Sequence, residues 1–178
     1  MMLLPLRTSR TMKVVGAGLV ASAMLGAFGS GCSTADSSAR ESSGALDRAS
    51  FPAVADLYSR RCGSIECHGS RYRNFRLYGL YGQRLDPSHK PDAPDTTVAE
   101  YDANYQAFLG LEPQVLRDVI AGGGVDATRL TVVRKARGDE AHKGGAPIVP
   151  GTAADTCILA WIRGAPDNAA CLTAKKSP

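Results

Sequence analysis

Cys62-Gly63-Ser64-Ile65-Glu66-Cys67-His68-Gly69 is the stretch on which the reading of this chain turns. It carries two cysteines with four residues between them and an imidazole directly after the second. A helix leads into it. Ser50 stands at an N-cap position and Pro52 in the first turn. Phe51, Val54, Leu57 and Tyr58 then recur on one face of a pattern that runs to Arg61, directly before Cys62. On the other side, residues 69–95 cluster Gly, Pro, Asp and Ser and predict a long loop. Arg71, Arg73, Arg76 and Arg84 follow one another there with no acid between Glu66 and Asp86. Tyr72, Leu77, Tyr78, Leu80 and Tyr81 interleave with them, a pattern more typical of a pocket wall than of a nucleic-acid platform.

Further along, Thr97-Val98-Ala99-Glu100 has the form of a capping box, and Tyr101, Tyr105, Phe108 and Leu109 follow at helical spacing. Glu112-Pro113 opens a second short helix with Val115, Leu116, Val119 and Ile120 apolar, closed by Gly122-Gly123-Gly124. The β-branched Thr131-Val132-Val133 predicts a short extended piece. Thr152 to Ile162 reads as the last helix, with Ala154, Cys157, Ile158, Trp161 and Ile162 on one face and Gly164 as its stop. The expected fold class is mostly α: a small domain of short helices joined by long loops. Loops of this length in a small domain normally have a functional reason, and a cofactor that they wrap is one.

The chain has 178 residues, enough for one domain and its approach. With 21% of residues charged and a formal net charge of +4, a broad basic face for nucleic acid is not expected. Aromatics reach 6%, so the core relies on Ala, Val, Leu and Ile. A small core with 19 Gly and 10 Pro around it usually leans on disulfides, a metal or a cofactor. No serine sits in a nucleophile elbow, and neither glycine cluster has phosphate-loop spacing.

Residues 1–31 hold Arg7, Arg10 and Lys13, no acid, and an uncharged run from Val14 to Gly31. That is the pattern of a secretory signal, with Met12 a candidate start. Its end, Gly29-Ser30-Gly31-Cys32, resembles a bacterial lipoprotein signal, in which small residues precede a cysteine that is acylated and becomes residue one. Gly29 stands where such signals usually carry an aliphatic residue. The resemblance implies lipidation at Cys32; the Ser-, Ala-, Asp- and Arg-rich stretch that follows reads as a flexible tether over residues 32–49, before a domain over 50–178. The protein is then held by its lipid anchor to a membrane of the cell envelope, facing the periplasm or the cell surface. Removing the signal takes 21 basic residues to 18 against 17 acidic ones, so the mature chain is nearly neutral. All four methionines, Met1, Met2, Met12 and Met24, leave with it.

Cys-x-x-Cys-His is the attachment signature of c-type haem. Two thiols form thioethers to the vinyl groups, and the adjacent histidine reaches the iron. Here four residues separate the cysteines, and the chain resembles the cytochrome c superfamily in its C-x4-C-H variants. An aromatic-bearing helix enters Cys62, Gly69 follows His68, and Trp161 lies on a late helix, where such proteins pack an aromatic against the first helix. The resemblance spans residues 51–164. It implies haem c held by Cys62 and Cys67, His68 as an axial iron ligand, electron transfer rather than enzymatic turnover, and a redox partner protein in the envelope. The family's other axial ligand is often Met, and the mature chain has none. That position is left to His89, His142, a Lys, another group or nothing, and His142, before Gly144-Gly145, is the preferred candidate. His89 reads as a surface turn. A bis-His iron has a lower potential than a His/Met one. Some of the four arginines would pair with the haem carboxylates; the rest would form a rim that steers an acidic partner.

With Cys32 assigned to lipid and Cys62 and Cys67 to haem, Cys157 and Cys171 remain, and export permits a disulfide between them. Two other readings use the same residues. Cys62 and Cys67 serve equally as a second disulfide, giving a haem-free, disulfide-stapled envelope lipoprotein with a binding or structural role. Alternatively Cys62, Cys67, His68 and a distant histidine form a metal site.

Overall fold

The computed structural model describes residues 46–90 and 95–177. The signal, Cys32 and the tether up to residue 45 lie outside the described residues. Among those described, the secondary structure is six α-helices and one 3-10 turn, with no strand. None of these helices is long and apolar enough to cross a membrane.

Helix α1 (Phe51–Cys62) buries Phe51, Val54, Leu57 and Tyr58, the expected face. Its start differs from expectation. The Ser50 side chain makes no cap; the Asp47 carboxylate instead accepts from the backbone N–H groups of Ala49 and Ser50. Helix α2 (Val98–Leu111) opens on the expected capping box. Thr97 accepts from Glu100 N–H, and the Glu100 carboxylate accepts from Thr97 N–H at 2.9 Å. Helix α3 (Pro113–Ala121) follows and buries Leu116 and Val119. Gly123 and Gly124 turn the chain out of it with φ near +70°.

Thr131-Val132-Val133 is not extended. It opens helix α4 (Thr131–Arg137). The Glu112 carboxylate accepts from both Thr131 N–H and Thr131 Oγ1, each at 2.7 Å, and so caps this helix from a distant segment. Gly138, left-handed at φ +80°, closes it. β-Propensity is a weak preference, and one supplied cap plus a good C-terminal stop outweighs it.

Helix α5 (Ala153–Ile162) buries the five predicted residues. It is not the last. Helix α6 (Asn168–Lys176) follows, with Cys171 bonded to Cys157 at a Cα–Cα distance of 4.8 Å. The expected disulfide therefore staples α6 onto α5.

The core is an aromatic cluster drawn from distant parts of the chain. The Phe51 ring lies 5.3 Å from Tyr105 and 5.0 Å from Trp161. Phe108 lies 5.1 Å from Trp161 and 6.3 Å from Tyr58, and Tyr58 in turn lies 5.5 Å from Phe75. Leu46 and Asp47, assigned to the tether by sequence, are docked onto this cluster. Trp161 Nε1 donates to Asp47 O at 2.7 Å, and Tyr105 Oη donates to Leu46 O at 2.8 Å. Leu46 itself is buried.

The loop after α1 has no regular structure, yet it is held at several points. Arg84 and Glu100 form a fully buried ion pair, and Arg84 also donates to Lys90 O and Asp95 O. Asn104, buried on α2, pairs both ways with the Tyr78 backbone at 2.7 Å. These contacts determine where the chain following the octet can run.

Candidate functional site

Residues 62–69 form a tight loop at the C-terminal end of α1. His68 N–H donates to Cys62 O at 2.9 Å, and Gly69 N–H donates to Ser64 O at 2.8 Å. Arg73 straps the loop from outside through Glu66 O and Cys67 O. Gly69 and Gly82 meet backbone to backbone. A Cβ on Gly69 would lie 2.1 Å from Gly63 O and 2.6 Å from Gly82 Cα, so no side chain fits.

This loop forms one wall of a cavity of about 430 Å³, within the size range of small-molecule and cofactor sites. Tyr58 and Cys62 come from α1, His68 and Phe75 from the loop, Leu111 from α2, and Val132 and Ala136 from α4. The interior is largely apolar. Arg73 and Lys135 supply the cations in its lining.

His68 is half-buried, with Nδ1 2.6 Å from Phe75 O. A carbonyl oxygen only accepts, so Nδ1 carries the proton and Nε2 keeps its lone pair. Burial, with the neighbouring His142 and Arg73 charges, outweighs that hydrogen bond and lowers the imidazole pKa. The ring is therefore neutral near pH 7, as a metal ligand must be. His142 lies opposite. Its ring centroid is 5.8 Å from that of His68, with the planes 22° apart, and its Nδ1 is 3.3 Å from Gly145 O. Gly144 packs against the His142 ring, where a Cβ would come within 2.9 Å of Cε1. Gly145 beside it takes φ +71°, a left-handed turn with open space around it.

Cys62 and Cys67 are both unlinked thiols. Burial, with Cys67 nearby, pushes the Cys62 thiol up to about 12. Left free, it stays protonated and is a poor thiolate ligand or nucleophile. Cys67 is half-buried and is not among the residues that line the cavity. Among the described residues, no three His, Cys, Asp or Glu side chains come together as a metal cluster. The Tyr58 hydroxyl is buried with no hydrogen-bond partner among the described residues, and burial raises its pKa, so it remains a donor. A buried polar atom of this kind calls for a partner from a bound group or water.

Of the four arginines, Arg73 lines the cavity. Arg84 does not serve the site at all, because Glu100 occupies it. Arg71 lies over the Tyr72 ring at 5.9 Å and Arg76 over Tyr78 at 5.2 Å. His89 sits in a half-exposed turn, where its N–H donates to Asp86 O, away from the cavity. The sequence reading missed the α4 wall, including Thr131, Val132, Lys135 and Ala136. The signal for it was present: three basic residues, Arg134, Lys135 and Arg137, immediately before Gly138, which is a helix C-terminus pattern.

Comparison with known proteins finds no match: no family model, no curated protein and no solved structure matches this chain.

Proposed function

We propose that this protein is a one-electron carrier with a covalently attached c-type haem, exported and held to an envelope membrane by a lipid on Cys32. The observation that carries this reading is the His68 site. A neutral imidazole with Nε2 unprotonated lines an apolar cavity beside Cys62, and a second imidazole faces it at 5.8 Å. The packing of Trp161 on Phe51 at 5.0 Å also supports a cytochrome c-like arrangement of early and late helices.

When bound, haem supplies a reversible one-electron couple at its iron. The chain would do the rest. Cys62 and Cys67 would hold the group through thioethers. His68 would ligate through Nε2, its orientation and tautomer held by Phe75 O. His142 would be the second iron ligand. Phe75, Leu111, Val132 and Ala136 would exclude water, and Arg73 and Lys135 would offer cations to the carboxylates or to an acidic redox partner. The unlinked state of Cys62 and Cys67 favours this reading over a haem-free protein with a second disulfide.

The test is an absorption spectrum of protein made in an exporting host that has c-type haem maturation machinery. A denaturing gel stained for haem peroxidase activity is run beside it. The expected result is a Soret band that survives denaturation and migrates with the chain, and an altered spectrum in His68→Ala. A colourless, folded protein with no free thiols refutes the reading in favour of the stapled lipoprotein.

A further inference from the structure

The two facing imidazoles are held very differently. His68 is anchored by its ring hydrogen bond at 2.6 Å, by its own N–H on Cys62 O and by Leu77 N–H on its carbonyl at 2.8 Å. The His142 ring reaches Gly145 O at 3.3 Å, a contact inside its own turn. No residue between Ala136 and Ile148 is buried, and residues 143–146 are exposed. The contacts that hold this segment lie close to its two ends. On one side, Glu140 pairs with Arg134 and Lys135 at 3.0 and 2.9 Å, and Lys135 Nζ donates to Ala141 O. On the other, Ile148 is buried and its N–H donates to Ala136 O at 2.9 Å. A segment with few buried contacts opens locally at low cost, whereas the His68 loop is locked by the Gly69/Gly82 contact.

We propose that His142 is a displaceable ligand, and that this face of the cavity is a binding site for a small neutral donor such as carbon monoxide. The proposal rests on the haem reading above. Residues 139–147 move together as a strap and carry the imidazole away from the ferrous iron. One dative bond from His142 Nε2 breaks, and one from the carbon lone pair of the incoming molecule forms. No electron or proton is transferred. His68 keeps its place throughout, so the exchange is confined to one side.

The experiment uses full-length protein whose haem attachment has been verified on the denaturing gel. It is reduced with dithionite and mixed with carbon monoxide in a stopped-flow spectrometer. Wild type is expected to take up carbon monoxide completely, with an observed rate that levels off as the gas concentration rises, because departure of His142 comes first. His142→Ala removes that step, and its rate then stays proportional to carbon monoxide over the same range. Glu140→Gln loosens one end of the strap. Loss of a part-exposed ion pair corresponds to a plateau about two- to five-fold higher. Haem-bearing wild type that takes up no carbon monoxide overturns the proposal. So does uptake without a plateau at the His142→Ala rate, since His142 is then no ligand. A chain with no covalent haem fails at the gel and overturns the haem reading itself.

Discussion

Glu100→Gln tests the reasoning about how the site is supported, because it removes one charge from the most buried ion pair described. Both side chains are essentially inaccessible, at 0% exposure for Glu100 and 1% for Arg84. The carboxylate accepts from Arg84 Nε at 2.8 Å, Arg84 Nη2 at 2.9 Å, Leu85 N–H at 3.0 Å and Thr97 N–H at 2.9 Å. Burial pushes the Glu100 carboxyl up; the hydrogen bonds from Arg84, Thr97 and Leu85, with the Arg84 charge, more than offset it and hold the group at about 2. Gln retains one acceptor and turns an amide donor toward other donors, leaving the buried Arg84 charge without its counter-ion, with Lys90 O and Asp95 O still accepting from it. Removing one partner of a buried pair costs about 3–5 kcal/mol, a large part of a total of about 5–15 kcal/mol. With a urea slope of about 2 kcal/mol per M, the unfolding midpoint followed by circular dichroism should fall by about 2 M. The pH dependence has a definite sign. The folded pKa lies below the ordinary 4.5, so the stabilisation is full above about pH 4.5 and is lost as pH falls toward 2. The gap between wild type and Glu100→Gln should therefore close by up to about 3 kcal/mol over that window. A second variant separates charge from packing: Arg84→Met with Glu100→Leu should cost clearly less than Glu100→Gln alone. A Glu100→Gln cost below about 1 kcal/mol, or a gap that does not change between pH 5 and 2, would refute the argument.

Two further outcomes follow from the packing. Cys171→Ser should lower stability by about 3 kcal/mol, the chain-entropy value for a loop of this size; thermal melts with and without reductant should converge for wild type and variant. Gly69→Ala should prevent the loop from closing, because its Cβ has Gly63 O at 2.1 Å and Gly82 Cα at 2.6 Å. On the proposed haem reading, covalent haem per chain, measured by pyridine haemochrome, should then fall at least ten-fold, while Gly110→Ala, with open space around it, should leave it unchanged.

Local chemistry was legible before the fold was known. The Thr97/Glu100 capping box, the buried faces of α1 and α5 and the glycine stop after α3 all lie where short-range pattern puts them. Each depends on residues three or four apart, which backbone geometry brings together whatever the rest of the chain does. What failed was whatever needed a distant partner. Thr131-Val132-Val133 read as extended because its cap, Glu112, belongs to another segment. Arg84 read as a candidate for an anionic ligand because nothing in its neighbourhood reveals that Glu100, sixteen positions on, pairs with its guanidinium while Lys90 O and Asp95 O accept from it as well. Helix α6 was missed although Asp167 caps it locally, because it buries little apolar surface of its own beyond Cys171 and Ala174.

For this protein, then, the sequence alone determined the helical class, the octet at residues 62–69 and the disulfide, since each is a matter of residue type, spacing or cysteine count. Only the tertiary structure decided which histidine faces His68. The sequence preferred His142 over His89, but a loop position alone places neither ring against His68. The choice falls to His142 because α4, its Glu112 cap and the buried anchor at Ile148 bring the strap across the cavity, whereas Asp86 folds the His89 turn back on itself. The same packing buried the Tyr58 hydroxyl without a hydrogen-bond partner among the described residues, which no local pattern encodes.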